Sequence, residues 1–401
     1  MIRAGDGSLR ILHVSHTSLV SGGEHSLLDL LAGERGRAAP QLVAPDGPLL
    51  ERAAALGIET IAVRAIDLTF KGDPRTTAAG LRDAGVVAAQ LAARPRSRSY
   101  DVIHANSVRA GLYAGPVALA RRVPLVVHVR DVLPDSRPGF AVRRATTAMA
   151  SRVVAISRHV AHAYADGLPR RDAQKVVVAD NPIDLERFVP ADEAARRRAR
   201  RELGIDDDRP ILAIIGQITS WKGHDTAVRT LAAVRDAHPD AVLLVVGEVK
   251  FVSAATTLDN ASFRRRLDDL RVSLGVPSDA VRYMGERDDV PAVLAATDLL
   301  LAPSKVEPFG RSIAEAMAVG VPVIATSRGG PAEFIEDAGT GWLVDPEDAN
   351  GWGARATSAM SDRQGTAAIA HAGQAAVRAR FSVSRHADVL LEIFGDAVGG
   401  R

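Results

Sequence analysis

Short apolar runs alternate with longer segments of helical period through the first half of the chain. The runs Ile11–Ser15, Gln41–Ala44, Glu59–Val63, Val102–Ala105, Leu125–Val129, Val153–Ile156 and Val176–Ala179 have the length and apolar character of buried strands. Between them Glu24–Leu31, Ala78–Ala93 and Arg109–Arg121 carry a helical period. This alternation predicts right-handed βαβ units and a parallel sheet covered on both faces. The segment NPIDLERFVP, Asn181–Pro190, has two prolines and no period, and predicts a joint between domains. A charged helix over Asp192–Leu203 follows, its ARRRARREL stretch reading as a solvated face. The alternation then restarts with Ile211–Ile215, Val242–Val246, Val281–Met284, Leu299–Ala302, Val323–Ala325 and Trp342–Val344, and the tail Phe381–Phe394 is helical in pattern. No shorter repeat points to a solenoid.

Size agrees with two domains, because 401 residues exceed the roughly 250–300 at which single cores stop growing. A composition of 47% hydrophobic and 24% charged residues is that of a globular protein. No apolar run approaches the roughly 18–20 residues of a membrane span, and the start MIRAGDGSLR lacks the apolar core of an export signal. A cytoplasmic location is therefore expected. The absence of cysteine excludes disulfides and thiolate chemistry. The net charge of +2 hides an asymmetry: residues 1–185 hold 24 basic against 17 acidic residues (+7), and residues 186–401 hold 26 against 31 (−5). A basic first half suits an anionic ligand or peripheral contact with the inner face of a membrane. The candidate patch is Arg94, Arg96, Arg98, Arg121, Arg122, Arg143 and Arg144, although arginines that merely solvate helix faces are the plainer reading. No nucleic-acid partner is expected.

The densest chemistry lies in Thr297–Thr326, TDLLLAPSKVEPFGRSIAEAMAVGVPVIAT. It reads as strand, loop, helix, strand: the loop carries Glu307, Pro308, Phe309 and Gly310, and the helix opens near Arg311, carries Glu315 and stops at Gly320. A helix N-terminus at the carboxyl end of a buried strand offers N–H groups and a positive dipole end to an anion. The two glutamates are acceptors suited to hydroxyl-rich ligands. Phosphate plus polyol describes a nucleotide sugar. A second constellation follows Ile211–Ile215, where Gly216-Gln217 lead to Trp221-Lys222-Gly223 and place a lysine at a helix start, poised to neutralise a diphosphate. A third is the paired glycine of Gly22-Gly23-Glu24, whose small residues admit a ligand close to the backbone.

These elements resemble the donor-site signature of the retaining GT-B glycosyltransferases of glycosyltransferase family 4, the glycosyl transferases group 1. The likeness rests on glutamate, seven residues, glutamate (Glu307, Glu315), followed by Gly320, Pro322, Val323, Ile324 and a Gly329-Gly330 turn. A bare pair of glutamates at that spacing would carry nothing; the ordered glycines, proline and Phe-Gly carry the match. Trp221-Lys222-Gly223 is similar to the end of the family's Gly-Arg-x4-Lys-Gly motif, with Gln217 where arginine is usual. Arg311 is the residue expected to restore the missing charge.

The resemblance implies an α/β chain of two Rossmann-like parallel-sheet domains facing each other across a cleft. Residues 1–185 would bind acceptor and 186–381 the donor, with a C-terminal helix, 382–401, packing back on the first domain. It implies donor contacts from Gly22, Gly23, Gln217, Lys222, Glu286, Arg287, Glu307, Phe309, Gly310, Arg311 and Glu315, with Glu315 on the ribose diol and Glu307 on the transferred sugar. It makes His128, Lys222 and Glu307 the catalytic set, His128 reaching the sugar. Asn106, Ser107, Arg130 and Asp131 would meet acceptor or phosphate. No cofactor and no metal are expected, and nothing near a strand end resembles an Asp-x-Asp metal clamp.

The function so implied is transfer of a sugar from a nucleotide diphosphate to an acceptor hydroxyl on a natural product, a cell-wall or lipid-linked intermediate, or a polysaccharide. A nucleotide-sugar epimerase of the same architecture and a catalytically silent sugar-nucleotide-binding subunit are the alternatives. A dinucleotide oxidoreductase is not, since Ser15–Glu24 lacks Gly-x-Gly-x-x-Gly. Nucleobase, sugar, acceptor, linkage and oligomeric state are not written in the motifs, because backbone contacts read the base and loops read the acceptor.

Overall fold

The computed structural model describes residues 8–65, 74–92, 100–205, 209–249 and 260–400. The chain divides into two compact units, one of Met1–Pro182 with Phe381–Arg401 and one of Ile183–Arg380. Arg94, Arg96 and Arg98 of the candidate basic patch lie outside the described residues.

In the first unit seven strands form one parallel sheet: β1 Leu9–Val14, β2 Ala38–Pro45, β3 Glu59–Val63, β4 Val102–Ala105, β5 Leu125–Val129, β6 Arg152–Ala155 and β7 Val176–Val178. Their order is β3-β2-β1-β4-β5-β6-β7. The second unit repeats the plan with β8 Ile211–Ile215, β9 Val242–Val246, β10 Val281–Gly285, β11 Leu299–Ala302, β12 Val323–Thr326 and β13 Trp342–Val344, ordered β10-β9-β8-β11-β12-β13. Central strands such as β9 are buried along their whole length, which is why they read as unbroken apolar runs. In each sheet the strand order reverses beside the first strand, between β1 and β4 and between β8 and β11. Loops leaving the carboxyl ends of such a pair diverge to opposite faces and open a crevice, the usual ligand position in parallel α/β sheets.

The C-terminal helix Val383–Gly399 completes the first unit. Its Ala387, Leu390, Phe394 and Ala397 pack on Ile11 of β1, Val102 of β4, Val126 of β5 and Val154 of β6. The close crossing with helix Gly22–Glu34 needs a small residue: a methyl group at Gly33 would lie 2.9 Å from Ala387 Cβ. In the second unit Trp352 is fully enclosed and its indole N–H donates to the carbonyl of Asp345 at 2.9 Å.

The expected joint Asn181–Pro190 carries the division between the two units, which falls at Pro182–Ile183, and it is itself packed: Ile183 and Phe188 are buried and Arg378 donates to the Phe188 carbonyl at 3.2 Å. Two readings of charge differ from the structure. The charged helix, observed over Glu193–Glu202, is not a purely solvated face. Arg200 is buried, donating to Asp298 Oδ2 at 2.6 Å and to the Arg209 carbonyl at 2.9 Å, and Arg196 pairs with the same aspartate. Asp298 also accepts from the Ile211 amide at 2.7 Å, so the cluster pins the helix to the start of β8. Arg143 leaves the candidate basic patch: it is buried and donates to the carbonyls of Ala163, Tyr164 and Asp166, which end helix Arg158–Ala165. No helix among the described residues is long and apolar enough to cross a membrane.

Candidate active site

In the second unit the crevice between β8 and β11 is lined by the two loops that sequence analysis singled out. After β8 the chain turns through Thr219–Lys222, closed by the Lys222 amide donating to the Thr219 carbonyl at 3.2 Å, and Gly223 starts helix His224–Ala237. Gly223 has φ +73, and a methyl group there would lie 2.1 Å from the carbonyl oxygen of Pro303 in the loop after β11. Glycine is required because the two loops touch backbone to backbone. A further bond, Lys305 amide to Trp221 carbonyl at 2.9 Å, fastens them.

This contact brings Lys222 to Glu307. The ammonium donates to Glu307 Oε2 at 2.7 Å, and the Ser304 hydroxyl donates to the same oxygen at 2.8 Å. The glutamate backbone is held from the other side by the Gly329-Gly330 turn: its amide donates to the Arg328 carbonyl at 3.1 Å, and its carbonyl accepts from Gly330 at 2.7 Å. Gly310, at φ +99, then starts helix Arg311–Val319. Phe309 is buried and lies 5.7 Å from Phe334, anchoring the turn that sets the helix mouth. In the helix Arg311 Nε donates to Glu315 Oε1 at 2.7 Å, with side chains 13% and 12% exposed. The crevice is thus edged by two acid–base pairs, and a diphosphate entering it would meet both cations and a helix N-terminus.

Gln217 follows Gly216 at the end of β8, half-buried. Glu286 and Arg287 follow β10; Glu286 is exposed, and Arg287 is engaged with Asp289 at 2.7 Å within its own loop. Two residues of this site were not anticipated. Ser304 carried a usable signal, a hydroxyl three residues before the glutamate. His224 sits beside Lys222 and is held neutral, its pKa pushed down to about 4 by burial, with the Thr219 backbone opposing and Lys222 reinforcing the shift.

The first unit assembles its candidates differently. Glu24 is buried and closes the turn before helix Gly22–Glu34 by accepting from both the amide and the hydroxyl of Ser21. Arg130, past the end of β5, donates to Asn106 Oδ1 at 2.6 Å and to Asn181 Oδ1 at 2.9 Å. It also fills the space beside Gly23, where a methyl group would lie 2.8 Å from Arg130 Cδ. Ser107 caps helix Val108–Arg121, accepting from the Ala110 amide at 3.1 Å, and lies 3.0 Å from His16 Nδ1. Asp131 is exposed.

His128 is placed unlike the expectation of a side chain reaching a sugar. Its ring is fully buried under the sheet, 3.3 Å from His104 Nε2 and stacked 6.3 Å from His386. Strand alternation explains this: Val126 and His128 share the face that the C-terminal helix covers.

Burial sets a pH dependence of stability. His104 is held well below the ordinary histidine range by burial, then by His13, Arg130 and His386; His128 by burial, then by Arg130, His104 and His386. His16 is pushed down to about 4 by burial and Arg109. Unfolded, each titrates near ~6.5, so below that pH the unfolded chain binds more protons than the folded one. Stability is complete at neutral pH and is lost as pH falls below ~6.5, by up to about 1.4 kcal/mol per histidine per pH unit. Thermal melts should show a lower Tm at pH 5.5 than at pH 7.5; equal values would contradict neutral buried rings.

Among the described residues no cluster of three or more His, Asp or Glu is arranged to hold a metal ion. The family described as glycosyl transferases group 1 matches residues 195–376, and glycosyltransferase family 4 matches residues 20–187. A D-inositol 3-phosphate glycosyltransferase of Salinispora arenicola is 31% identical over 335 residues, covering 79% of this chain and 72% of the relative. The protein of that name from Stackebrandtia nassauensis is 32% identical over the same shares, 79% and 72%. Among solved structures, Anabaena HepE in complex with UDP and glucose superposes with a TM-score of 0.81 at 24% identity, covering 96% of this chain and 99% of that one. A glycosyltransferase from Rickettsia africae gives 0.80 at 21% identity, covering 98% and 100%. These structural likenesses speak for the fold, two Rossmann-like parallel-sheet units of the GT-B class.

Proposed function

The chain belongs to glycosyltransferase family 4, the glycosyl transferases group 1, and on that footing we propose that it transfers a sugar from a nucleotide diphosphate to an acceptor hydroxyl with retention of configuration. The observation that carries the donor reading is the pairing of Lys222 with Glu307 beside the mouth of helix Arg311–Val319, at the strand switch point of the second unit. Lys222, Arg311 and the first turn of that helix take the diphosphate. Glu315 takes the ribose diol, and Glu307 takes hydroxyls of the transferred sugar. As the bond from the anomeric carbon to phosphate oxygen breaks, its electron pair passes to the diphosphate, whose growing charge these fixed donors stabilise. The acceptor oxygen bonds to the same carbon on the face the phosphate leaves, and its proton passes to a phosphate oxygen. No side-chain nucleophile and no metal enters this reading.

For the acceptor, the name of the curated relatives makes D-inositol 3-phosphate the first compound to try, and the +7 balance of residues 1–185 suits an anion. The test is a panel of UDP-, GDP- and ADP-sugars, with and without that acceptor, in EDTA, read as released nucleotide. Acceptor-dependent release with a retained anomer supports transfer. A new sugar nucleotide formed from donor alone would mean epimerisation, and binding without release would mean a silent subunit. On the donor that turns over, Glu315→Ala should raise KM tenfold or more while kcat changes less, since about 1.5–3 kcal/mol rides on a charged hydrogen bond to the diol. An unchanged KM would remove Glu315 from the ribose.

A further inference from the structure

Four buried groups form a line under the sheet of the first unit, running from helix Gly22–Glu34 across β1 and β4 to β5. Glu34 Oε2 lies 2.9 Å from His13 Nε2, His13 Nδ1 lies 2.9 Å from His104 Nδ1, and His104 Nε2 lies 3.3 Å from His128 Nδ1. All four side chains are 0% exposed. From the C-terminal helix His386 stacks on His128, its Nδ1 2.7 Å from the Asp180 carbonyl, and Phe394 lies against His13 and His104. At the far end Arg130 Nη2 reaches His128 Nδ1 at 3.5 Å.

The contacts between the rings can run in either direction, and the Arg130 contact selects one proton order. Guanidinium only donates, so His128 Nδ1 accepts and a neutral His128 carries its hydrogen on Nε2. His104 must then donate from Nε2 and, if neutral, accept at Nδ1, which requires His13 to donate from Nδ1. One proton remains, shared in the contact between His13 Nε2 and Glu34. On the two inner rings a further proton breaks the line: on His128 Nδ1 it would oppose both Arg130 and His104, and on His104 Nδ1 it would oppose His13. Burial and the Arg130 charge act in the same direction, holding His104 and His128 neutral.

Arg130 is also the residue that fills the space beside Gly23 and grips Asn106 and Asn181. We propose that the buried line of histidines is a positioning device for Arg130: its single proton order holds the guanidinium against the glycine turn, and one more proton releases it. Sugar transfer then fails in acid through the core of the first unit, not through a group on the substrate. This rests on the reading of Gly22-Gly23 as part of the transfer site.

The test is His128→Asn, whose amide oxygen can accept from Arg130 and His104 but cannot titrate. Profiles of kcat/KM against pH are measured as nucleotide released from whichever of UDP-glucose, GDP-mannose and ADP-glucose wild type turns over, with circular dichroism confirming the fold at each pH. Whatever its height, the variant profile should place its acid limb at least one pH unit below that of wild type. His128→Phe, which lacks an acceptor, should lose at least tenfold at every pH; should it not fold, His128→Asn decides alone. Coincident acid limbs in folded wild type and His128→Asn would overturn the proposal. A wild type silent toward all three donors would count against the donor reading, and amide exchange then decides. At pH 5.5 the peptide spanning Gly22–Glu24 should exchange faster in wild type than in His128→Asn, and equal rates would overturn the device.

Discussion

Lys222→Ala lowers kcat/KM for sugar transfer by about 10²–10³-fold, the cost of removing one preorganised donor from a site of developing negative charge. The loss falls on kcat more than on KM, because the diphosphate gains charge as the glycosidic bond opens and the ammonium meets that gain only in the transition state. The structure adds a second component. In wild type Lys222 and Ser304 share Glu307 Oε2, at 2.7 and 2.8 Å, and Glu307 is only 12% exposed. Without the lysine a largely enclosed carboxylate keeps one neutral donor, so its orientation toward sugar hydroxyls loosens as well. Lys222→Arg keeps the charge but not the reach, and should fall between alanine and wild type. Steady-state kinetics on the donor identified by the panel, with the fold checked by circular dichroism, measure this. Activity of Lys222→Ala within a few-fold of wild type would place the diphosphate elsewhere.

The strands were legible because burial on both faces leaves a direct trace in the sequence. Val102–Ala105, Leu125–Val129 and Val242–Val246 are observed with the limits their apolar runs predict. Helix limits moved where a cap, not a period, decides them: the helix expected from Glu24 begins at Gly22, since Ser21 and Glu24 close its first turn. Lys222, Glu307, Arg311 and Glu315 were each visible because glycines and prolines punctuate the loops that carry them. What the sequence could not show is who pairs with whom. Arg200 reads as one more solvated arginine until Asp298, 98 positions away, is folded against it. His128 reads as a lone strand histidine until His13 and His104 are brought into register beside it. Arg143 reads as surface charge until three carbonyls at a helix end surround it. In each case a polar side chain becomes structural through a partner far along the chain, and hydrophobic periodicity is blind to such partners.

Gly329→Ala tests the other support of the site, and two losses are expected from it. Gly329 has φ +103 and ψ −147, a region open essentially to glycine alone, and a methyl group there would lie 2.2 Å from the carbonyl oxygen of Glu307. The backbone strain costs about 1–3 kcal/mol, and relief of the clash must push Glu307 away from the turn. For a unit of this size about 3 kcal/mol corresponds to a fall of roughly 6–12 °C in Tm. Gly395→Ala is the control, since its methyl group meets nothing within 4 Å in helix Val383–Gly399, and it should be neutral or gain up to about 1 kcal/mol. The second loss is catalytic and separable from the first. The amide and carbonyl of Glu307 are bonded to Arg328 and Gly330, so a displaced turn carries the carboxylate off Lys222 and Ser304 even in molecules that remain folded. Measured at least 15 °C below the variant's own Tm, kcat/KM should still be down by about 10²-fold or more, as small misplacements of positioning groups cost that much. Full activity per folded molecule would show that the turn stabilises the second unit without aiming Glu307, and would leave the Lys222 and Ser304 contacts to orient it.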